Sequence, residues 1–272
     1  MVRHMEEKIK LPFEEKIKKL YSDIEKLKLK KIKRNYNEID KDYNNNSERW
    51  NRSFDEIDFE TWLGNYNVDG EILRILTMNG KLFEGTWNEY AEKFVQQILD
   101  TLEKYSEENV VELGCGLGYI LFQLNQKNFK KLEGFDLSEN AISLLKKYCQ
   151  KKNYSIDFET LDLVKPFPKG IIENKVVYTH TCLEQLKNYM PNVVKNIVDG
   201  NPKLVINFEV DYDSAPFLVK EYFKARDYQN NLVRELKKLE KQKKIEIISI
   251  KKLPLSLSPL NRVSAITWKI IS

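Results

Sequence analysis

Three glycines at alternate positions, Gly114, Gly116 and Gly118, follow an apolar run that ends in the carboxylate of Glu112. Glycine has no Cβ and tolerates positive φ, so a turn with this spacing lets the backbone approach a flat, charged ligand closely. A helix that begins directly behind such a turn offers N–H groups without intrahelical partners. The spacing therefore predicts a binding site for a nucleotide-like ligand.

A dinucleotide-binding turn is the nearest alternative, because its fingerprint is Gly-x-Gly-x-x-Gly. In this chain the third glycine, Gly118, comes one residue early, and Tyr119 occupies the dinucleotide position. Glycine-rich turns also occur at bulges and in other nucleotide folds. The turn considered alone leaves these alternatives open.

A second carboxylate, Asp136, ends the next predicted strand, and Ser138 is a natural N-cap for a helix over 139–150. An acidic residue about 20 positions after a glycine turn is placed to accept hydrogen bonds from ribose hydroxyls. The alternative is a surface carboxylate that interacts with the start of the helix.

Polar residues also follow the third and fourth predicted strands. A strand over 154–161 is followed by Asp162, and a strand over 175–179 is followed by His180. In an open α/β sheet, ligands bind outside the carboxyl ends of the strands. We therefore expect Asp162 and His180 at the mouth of the same site as the glycine turn.

These segments resemble the class I S-adenosylmethionine (SAM) dependent methyltransferases. Residues 112–119 are similar to the first motif of that family and residues 134–138 to its second. Residues 183–185, Leu-Glu-Gln, are similar to the helix start that follows its fourth strand. The resemblance covers residues 84–272, and it implies SAM as cofactor and S-adenosyl-L-homocysteine as product.

The resemblance also implies which residues contact the cofactor. They are Glu112, Gly114, Cys115, Gly116, Gly118, Asp136, Leu137, Leu161, Asp162, Leu163, Thr179 and His180. Asp162 is expected to accept the adenine amino group, while an apolar neighbour packs on the ring.

Alternating strand and helix signals after the turn predict an α/β fold. We expect a doubly wound, seven-stranded, mostly parallel sheet with the last strand antiparallel, plus an N-terminal helical extension or cap. Thr86 and Glu89 form a predicted capping box for a helix over 87–105. The last predicted elements are a strand, one long helix and two strands, over 203–210, 216–243, 245–253 and 263–271.

Three regions are predicted along the chain. Residues 1–48 form a lysine- and asparagine-rich helical extension with a linker, residues 49–83 an aromatic-rich cap or lid, and residues 84–272 the methyltransferase domain. The helix over 6–34 has apolar residues at 3-and-4 spacing. It is interpreted as a solvated helical face, a cap or a dimer contact. The positive charge over 26–34 leaves a nucleic-acid arm open.

His180 and Asp211 are the candidate catalytic residues. An unperturbed histidine pKa of about 6.5 suits proton transfer at neutral pH, although His180 could instead contact the cofactor or pack structurally. Asp211 and Asp213 follow the fifth predicted strand, where the alternative is a polar loop. The candidates for acceptor binding are Tyr90, Asp213, Asn261 and Arg262.

The segment after the fourth strand argues against several subclasses of the family. It lacks the Asn/Asp-Pro-Pro motif of amino-methylating enzymes, has Glu184 but no second glutamate, and contains Cys182 without a preceding proline. We therefore expect methyl transfer to an oxygen or nitrogen of a small molecule, of sugar or natural-product type. The alternatives are an RNA or protein methyltransferase that docks through the basic N-terminal helix, and a non-catalytic SAM-binding regulatory subunit.

Composition is consistent with an enzyme of this kind. The 272 residues include 45 basic and 41 acidic side chains, and a net charge of +4 does not by itself indicate nucleic acid. The cysteines at 115, 149 and 182 have no metal-binding spacing, so no metal is expected, and they suit a reducing cytoplasm. The sequence has no signal core and no apolar run of membrane-spanning length. We expect a cytoplasmic monomer or homodimer without membrane contact.

Overall fold

The computed structural model describes most of the chain from residue 73 onward. The described residues are 73–79, 81–228, 231–256 and 262–271, together with the single positions Lys18, Tyr21 and Glu25. Nearly all of the predicted extension, most of the predicted cap segment and the acceptor candidate Asn261 lie outside these residues.

Strands and helices alternate along most of the described chain. The strands are β1 (Leu73–Met78), β2 (Lys81–Thr86), β3 (Asn109–Leu113), β4 (Lys131–Asp136), β5 (Ile156–Thr160), β6 (Val176–His180), β7 (Leu204–Val210), β8 (Ile245–Lys252), β9 (Leu255–Ser256) and β10 (Val263–Ile270). The helices are α1 (Trp87–Leu102), α2 (Tyr119–Asn125), α3 (Glu139–Lys152), α4 (Met190–Asp199), α5 (Phe217–Arg226) and α6 (Leu232–Lys241). Two 3₁₀ segments span Glu103–Tyr105 and Leu183–Tyr189.

The main sheet has seven strands in the order β5-β4-β3-β6-β7-β10-β8. The first five of these strands run parallel, and β10 pairs antiparallel with both of its neighbours. The predicted seven-stranded, mostly parallel sheet is thereby confirmed. Its strand order reverses between β3 and β6, which is the switch point where such sheets bind ligands.

A β-hairpin precedes the main domain within the segment that was predicted as a cap. Its strands β1 and β2 pair antiparallel, with Met78 opposite Lys81, and β9 adds a third strand to β1. The residues between the two strands are Asn79 and Gly80, the dipeptide that favours a two-residue hairpin turn. Asn79 has the positive φ, 50°, that such a turn requires. The aromatic content of this segment indicated a cap or lid, and no hairpin was predicted, although the Asn-Gly dipeptide is typical of one.

Side-chain caps fix the start of two helices beside the site. At α1, the Thr86 hydroxyl accepts from the N–H of Glu89 at 3.1 Å, and the Glu89 carboxylate accepts from the N–H of Thr86 at 3.0 Å. At α3, the Ser138 hydroxyl accepts from the N–H of Ala141 at 3.2 Å. Both caps confirm the sequence-based predictions, and they set where each helix leaves its strand.

The prediction of one long helix over 216–243 was wrong, because two helices occupy that segment. Asp227 follows α5 and Asn231 precedes α6, and both have left-handed backbone conformations, with φ of 61° and 55°. Asp213 accepts a hydrogen bond from the N–H of Arg234 at 2.8 Å and so caps the start of α6. Asp and Asn adopt this conformation at little cost. The chain can therefore break between two helices here while the apolar spacing of the sequence, which predicted one helix, continues.

The sheet separates two hydrophobic clusters. One cluster packs α1, α2 and α3 against the sheet, and the other packs α4 and α6 against it. Gly134 shows how closely α2 approaches β4, because a Cβ at this position would lie 2.6 Å from Leu121 Cδ1 and from Phe158 Cε1. The segment from Val210 to Tyr228, which contains α5, forms a third, smaller cluster.

Candidate active site

A cavity of about 440 Å³ lies at the carboxyl ends of the central strands, which is within the usual range for small-ligand sites. Its wall includes most of the residues that the sequence predicted. These are Tyr90, Glu112, Gly114, Cys115, Gly116, Asp136, Leu137, Leu161, Asp162, Leu163 and His180. The tertiary structure therefore brings together residues that are spread over 91 positions of the chain, from 90 to 180.

The glycine turn has the conformation that its sequence predicts. Gly114, Gly116 and Gly118 all have positive φ, at 75°, 53° and 68°. At Gly114 a Cβ would also lie 2.6 Å from the sulfur of Cys182, so both backbone conformation and space require glycine. Gly118 does not line the cavity. A Cβ there would meet Phe158 at 3.1 Å, so this glycine serves the packing of α2.

Asp136 connects the glycine turn to the end of β4. Its Oδ2 accepts from the N–H of Gly116 at 2.8 Å, and its Oδ1 accepts from the N–H of Ser138 at 3.0 Å. The side chain is largely buried but lines the cavity. A carboxylate offers about four lone-pair positions and is a suitable acceptor for hydroxyl donors of a ligand.

Glu112 is a buried carboxyl group at the end of β3. The hydroxyl of Tyr178 donates to its Oε2 at 2.8 Å. Burial raises the pKa of Glu112 to about 8; the Tyr178 hydrogen bond opposes this shift, and the charge of Asp136 adds to it. Glu112 is therefore mainly protonated at neutral pH, so it presents a neutral carboxyl group to the cavity.

The loop after β5 supplies a polar group between two apolar ones. Asp162 accepts from the N–H of Val164 at 3.0 Å and pairs with Lys165 at 3.2 Å. Leu161 and Leu163, on either side of it, are buried and line the cavity. This arrangement provides an apolar wall with a carboxylate beside it, which suits a heteroaromatic ring that carries an amino group.

His180 ends β6 at the cavity wall. Its ring packs against Phe94 of α1, with ring centroids 5.4 Å apart. Burial lowers the pKa of His180 to about 4, well below the ordinary value on which the sequence-based interpretation relied. The imidazole is therefore neutral over the physiological range, and it holds a proton less strongly than an exposed histidine.

Thr179 is buried in the sheet and does not line the cavity. Its hydroxyl accepts from the Nδ2 of Asn207 at 3.0 Å, and the Oδ1 of Asn207 accepts from the Nε1 of Trp268 at 2.8 Å. Side chains alternate along a strand, so Thr179 faces away from Tyr178 and His180. The structure thus gives Thr179 a place in a core hydrogen-bond chain.

The candidates near the ends of β7 and β10 also lie outside the cavity wall. Asp211 accepts from the N–H of Ser214 at 3.0 Å, as in a local turn, and Asp213 caps α6. Arg262 directly precedes β10 and does not line the cavity. Polar residues after a strand were expected to face the site, but these aspartates instead satisfy backbone N–H groups of the loop and of the next helix.

The cavity also contains polar residues that sequence reasoning did not assign to it. Glu184, from the 3₁₀ segment after β6, lines the wall, as do Arg226 and Tyr228 from the end of α5. Glu209 of β7 lies behind Glu184 and is fully buried. A carboxylate inside the apolar strand 204–210 was the sequence signal for Glu209, whereas no local pattern pointed to Arg226 or Tyr228.

Two features are absent from the described residues: a candidate metal site and a membrane-spanning helix. No group of three His, Cys, Asp or Glu side chains in this part of the chain could hold a metal ion. None of the helices within it is both long and apolar enough to cross a membrane.

Comparisons with known proteins agree with this geometry. Residues 104–251, more than half of the chain, match the family model described as a methyltransferase domain. No curated protein sequence matches the chain. The chain belongs to the class I SAM-dependent methyltransferases, and SAM is its cofactor.

Solved structures share the fold at low identity. A Pyrococcus horikoshii OT3 protein is 15% identical with a TM-score of 0.51, and the match covers 66% of this chain and 91% of that one. The magnesium protoporphyrin IX methyltransferase of Synechocystis PCC 6803, solved with bound SAH, is 16% identical with a TM-score of 0.52, covering 68% and 85%. The methyltransferase domain of bacterial CtHen1 is 15% identical with a TM-score of 0.51, covering 67% and 100%.

Proposed function

We propose that this methyltransferase transfers the methyl group of SAM to an oxygen or nitrogen atom of a small molecule, of sugar or natural-product type. The observation that carries the proposal is the composition of the cavity wall. It combines the glycine turn and Asp136 with aromatic and apolar side chains and a few polar groups. Sites for small molecules typically have this composition.

The cofactor would occupy the end of the cavity at the glycine turn. Asp136 would accept hydrogen bonds from the ribose hydroxyls, and Asp162 from the adenine amino group, with Leu161 and Leu163 packed on the ring. The remaining contacts proposed here are Glu112, Gly114, Cys115, Gly116, Leu137 and His180. The residues fit SAM in that the glycine turn, where a Cβ at Gly114 would not be tolerated, and the carboxylate of Asp136 both line the cavity. When bound, SAM supplies a methyl group on a positively charged sulfur.

The acceptor would occupy the other end. Tyr90 and Phe94 of α1, stacked with ring centroids 5.2 Å apart, form one wall, and Arg226 and Tyr228 form another. Methyl transfer is an in-line displacement, so holding the two reactants in line supplies much of the rate, about 7–11 kcal/mol of the barrier in favourable cases. Rigid aromatic walls on a capped helix suit this role.

We propose that His180 orients the acceptor rather than taking its proton. His180 lines the cavity and is neutral at physiological pH, so it can give or accept one hydrogen bond. A histidine whose pKa is about 4 is a weak proton acceptor, because proton transfer is most effective when the pKa lies near the working pH.

We also propose the division of the chain into an extension over 1–48, a cap over 49–83 and a methyltransferase domain over 84–272. The described part of the cap supports a role close to the acceptor. Its strand β1 pairs with β9, and the N–H of Leu255 in β9 donates to Gln97 of α1 at 3.1 Å. The hairpin thus contributes to the support of the helix that carries Tyr90 and Phe94.

The proposal is tested by incubating the protein with methyl-labelled SAM and three separate fractions of a cell extract: small molecules, RNA and protein. We expect label in the small-molecule fraction. Label in RNA or protein would overturn the proposal and favour docking of a macromolecule, which should weaken steeply with salt for a nucleic acid. Binding of SAM without transfer to any fraction would favour a regulatory subunit. A sample without protein controls for chemical methylation.

A further inference from the structure

Two carboxyl groups from different parts of the chain meet beside the acceptor end of the cavity. Glu184 belongs to the 3₁₀ segment after β6 and lines the cavity, with 6% of its surface exposed. Glu209 belongs to β7, and none of its surface is exposed. The two carboxyl groups are close enough to interact, and the interaction with Glu184 raises the pKa of Glu209. A hydrogen bond between two carboxyl groups requires that one of them carry a proton.

The proton of this pair resides on Glu209. Burial, followed by the charge of Glu184 and the hydrogen bond with it, raises the pKa of Glu209 well above its usual range. The N–H groups of Cys182 and Leu183 donate to its Oε1 at 3.2 and 3.3 Å, which fixes the position of the carboxyl group. Because two adjacent buried carboxyls do not both ionise, we assign the proton to Glu209 and the negative charge to Glu184.

A cation, Arg226, lines the same cavity as Glu184. Its Nη2 donates to the hydroxyl of Tyr228 at 2.7 Å. Burial lowers the pKa of Arg226, but Tyr228 and the charge of Glu184 raise it, and the net shift is upward. The titratable and charged groups around Glu184 are thus Glu209 of β7, Arg226 of α5 and the protonated thiol of Cys182.

We propose that Glu184 is the catalytic base of this methyltransferase, and that it takes the proton of the hydroxyl or protonated amine that is methylated. The inference rests on the proposed function, because it assumes a small acceptor at this end of the cavity. It also defines a substrate class: neutral or cationic acceptors with an exchangeable proton fit the site, whereas a carboxylate acceptor has no proton to give and would be repelled by Glu184.

The step balances in atoms and charge. A lone pair of the acceptor oxygen or nitrogen forms the bond to the methyl carbon, and the electron pair of the broken C–S bond stays on sulfur. The proton of the acceptor passes to Glu184. For a hydroxyl acceptor, the positive sulfur becomes a neutral thioether while the singly negative carboxyl pair becomes neutral. Loss of both charges together is favourable in a buried site, because the products are neutral and no unpaired charge has to be stabilised.

Geometry favours Glu184 over the two bases that the sequence suggested. Asp211 does not line the cavity and already accepts a backbone N–H. His180 does line it, but taking up a proton would give it a positive charge, which burial disfavours because it lowers the pKa of this imidazole to about 4. Glu184 lines the cavity and starts with a negative charge, so taking up a proton removes charge from the site instead of adding it.

The activity test compares Glu184→Gln with Glu221→Gln, a matched change at a glutamate of α5 that pairs with Lys224 outside the cavity. The assay follows methyl transfer from labelled SAM to the small-molecule fraction of a cell extract. We expect Glu184→Gln to lower the rate by about 10²–10⁴-fold, the usual contribution of a general base. SAM affinity, measured by calorimetry, should stay within about threefold, and Glu221→Gln should leave both unchanged.

A rescue experiment distinguishes a base from a structural role. Glu184→Ala should also lose activity, and added formate or acetate should restore part of it, because a small carboxylate can occupy the space left by the side chain. A purely structural glutamate would not respond in this way. Absence of rescue together with wild-type thermal stability of Glu184→Ala would contradict the proposal.

Infrared spectroscopy of the protein without any acceptor tests the proton on the pair. The carbonyl band of a buried protonated carboxyl group should be present at neutral pH, with a contribution that Glu209→Gln removes and Glu112→Gln leaves in place. If Glu209→Gln removes no intensity, Glu209 is ionised and the pair does not have the proposed charge.

The outcomes separate the two proposals. If the wild-type protein transfers no label to small molecules, the proposed function fails and the inference fails with it. If it does transfer label, and Glu184→Gln retains more than about a third of the rate, only the inference fails. If Glu184→Gln instead loses SAM binding in proportion to its activity, Glu184 belongs to the cofactor site and the inference is overturned.

Discussion

The backbone N–H of Gly116 donates to the Oδ2 of Asp136 at 2.8 Å, so a single carboxylate fastens the glycine turn to the end of the adjacent strand. The two residues are 20 positions apart in the chain. This bond, with the one from Ser138 to the other oxygen, holds Asp136 in a fixed orientation at the cavity wall. The carboxylate is thus oriented before a ligand arrives, which reduces the entropy that binding has to overcome.

Replacing Asp136 with alanine should weaken SAM binding by about 1–3 kcal/mol, because hydrogen bonds to a charged group are lost and the turn loses its anchor. Isothermal titration calorimetry with SAM measures the effect. Asp157→Ala is the matched control, since Asp157 is an exposed aspartate of β5 that pairs with Lys131 at 3.4 Å. Unchanged affinity of the Asp136 variant would remove this residue from the cofactor site.

His180→Ala should lower the methyl-transfer rate by about fivefold, the value of one ordinary hydrogen bond, with little change in SAM affinity. The pKa of His180 is lowered to about 4 by burial, so its titration should not affect the rate near pH 6.5. Rates measured from pH 5 to 9 on both proteins check this. A step in the wild-type profile near pH 6.5 that vanishes in the variant would restore His180 as the base.

Glu112 should make the folded protein less stable as the pH rises. Its pKa is raised from 4.5 to about 8, so between these values the folded state binds a proton that the unfolded state has released. The contribution of Glu112 to the free energy of unfolding is therefore greatest below pH 4.5. Between pH 4.5 and about 8 it decreases by about 1.4 kcal/mol per pH unit. The variant Glu112→Gln cannot titrate here and should have a smaller slope than the wild type, by the contribution of Glu112.

For His180 we expect the opposite change of folding stability with pH, so the effects of Glu112 and His180 overlap in the acidic range. Its pKa falls from 6.5 to about 4, so stability is lost as the pH falls between these values. The two effects oppose each other below pH 6.5, and of the two only the Glu112 effect remains above it. Glu209, whose pKa is also raised, contributes to both proteins. The difference between wild type and Glu112→Gln in urea unfolding at pH 6.5, 7.25 and 8 therefore isolates Glu112. Equal slopes for wild type and Glu112→Gln in that range would contradict the prediction.

Thr179→Val should destabilise the fold without weakening SAM binding. Valine has the shape of threonine but leaves the Nδ2 of Asn207 without its 3.0 Å acceptor in the buried sheet, at a cost of about 1–3 kcal/mol. Urea unfolding and calorimetry measure the two quantities. Thr160→Val, at the exposed end of β5, is the control. A loss of SAM affinity larger than the loss of stability would return Thr179 to the cofactor site.

Much of the cofactor end of the site was predictable because its residues are local. The glycine turn, Asp136, Asp162 and His180 each follow directly after an apolar strand, and parallel strands bring their carboxyl ends to one edge. The number of strands and the antiparallel last strand followed from the resemblance, whereas the strand order was not predicted. The Ser138 and Thr86 caps followed from the first turn of each helix alone.

Features that depend on side-chain direction could not be predicted in the same way. Thr179 precedes His180 in the chain, yet it faces the core, because neighbouring side chains in a strand point to opposite faces. The break between α5 and α6 depends on the backbone conformation of Asp227 and Asn231, and Asp213 was available to cap the new helix. Polar loop residues look alike in sequence whether they face a ligand or a helix N-terminus.

The sequence by itself determined that the chain would present a glycine turn and a row of carboxylates at one edge of a parallel sheet, since those features are encoded within a few residues each. Only the tertiary structure decided how these groups are charged. Burial makes Glu112 mainly neutral and lowers the pKa of His180, and the meeting of Glu184 with Glu209 places one proton between two carboxyls. Desolvation and contacts across 25 or more residues set these properties, and neither is visible along the chain.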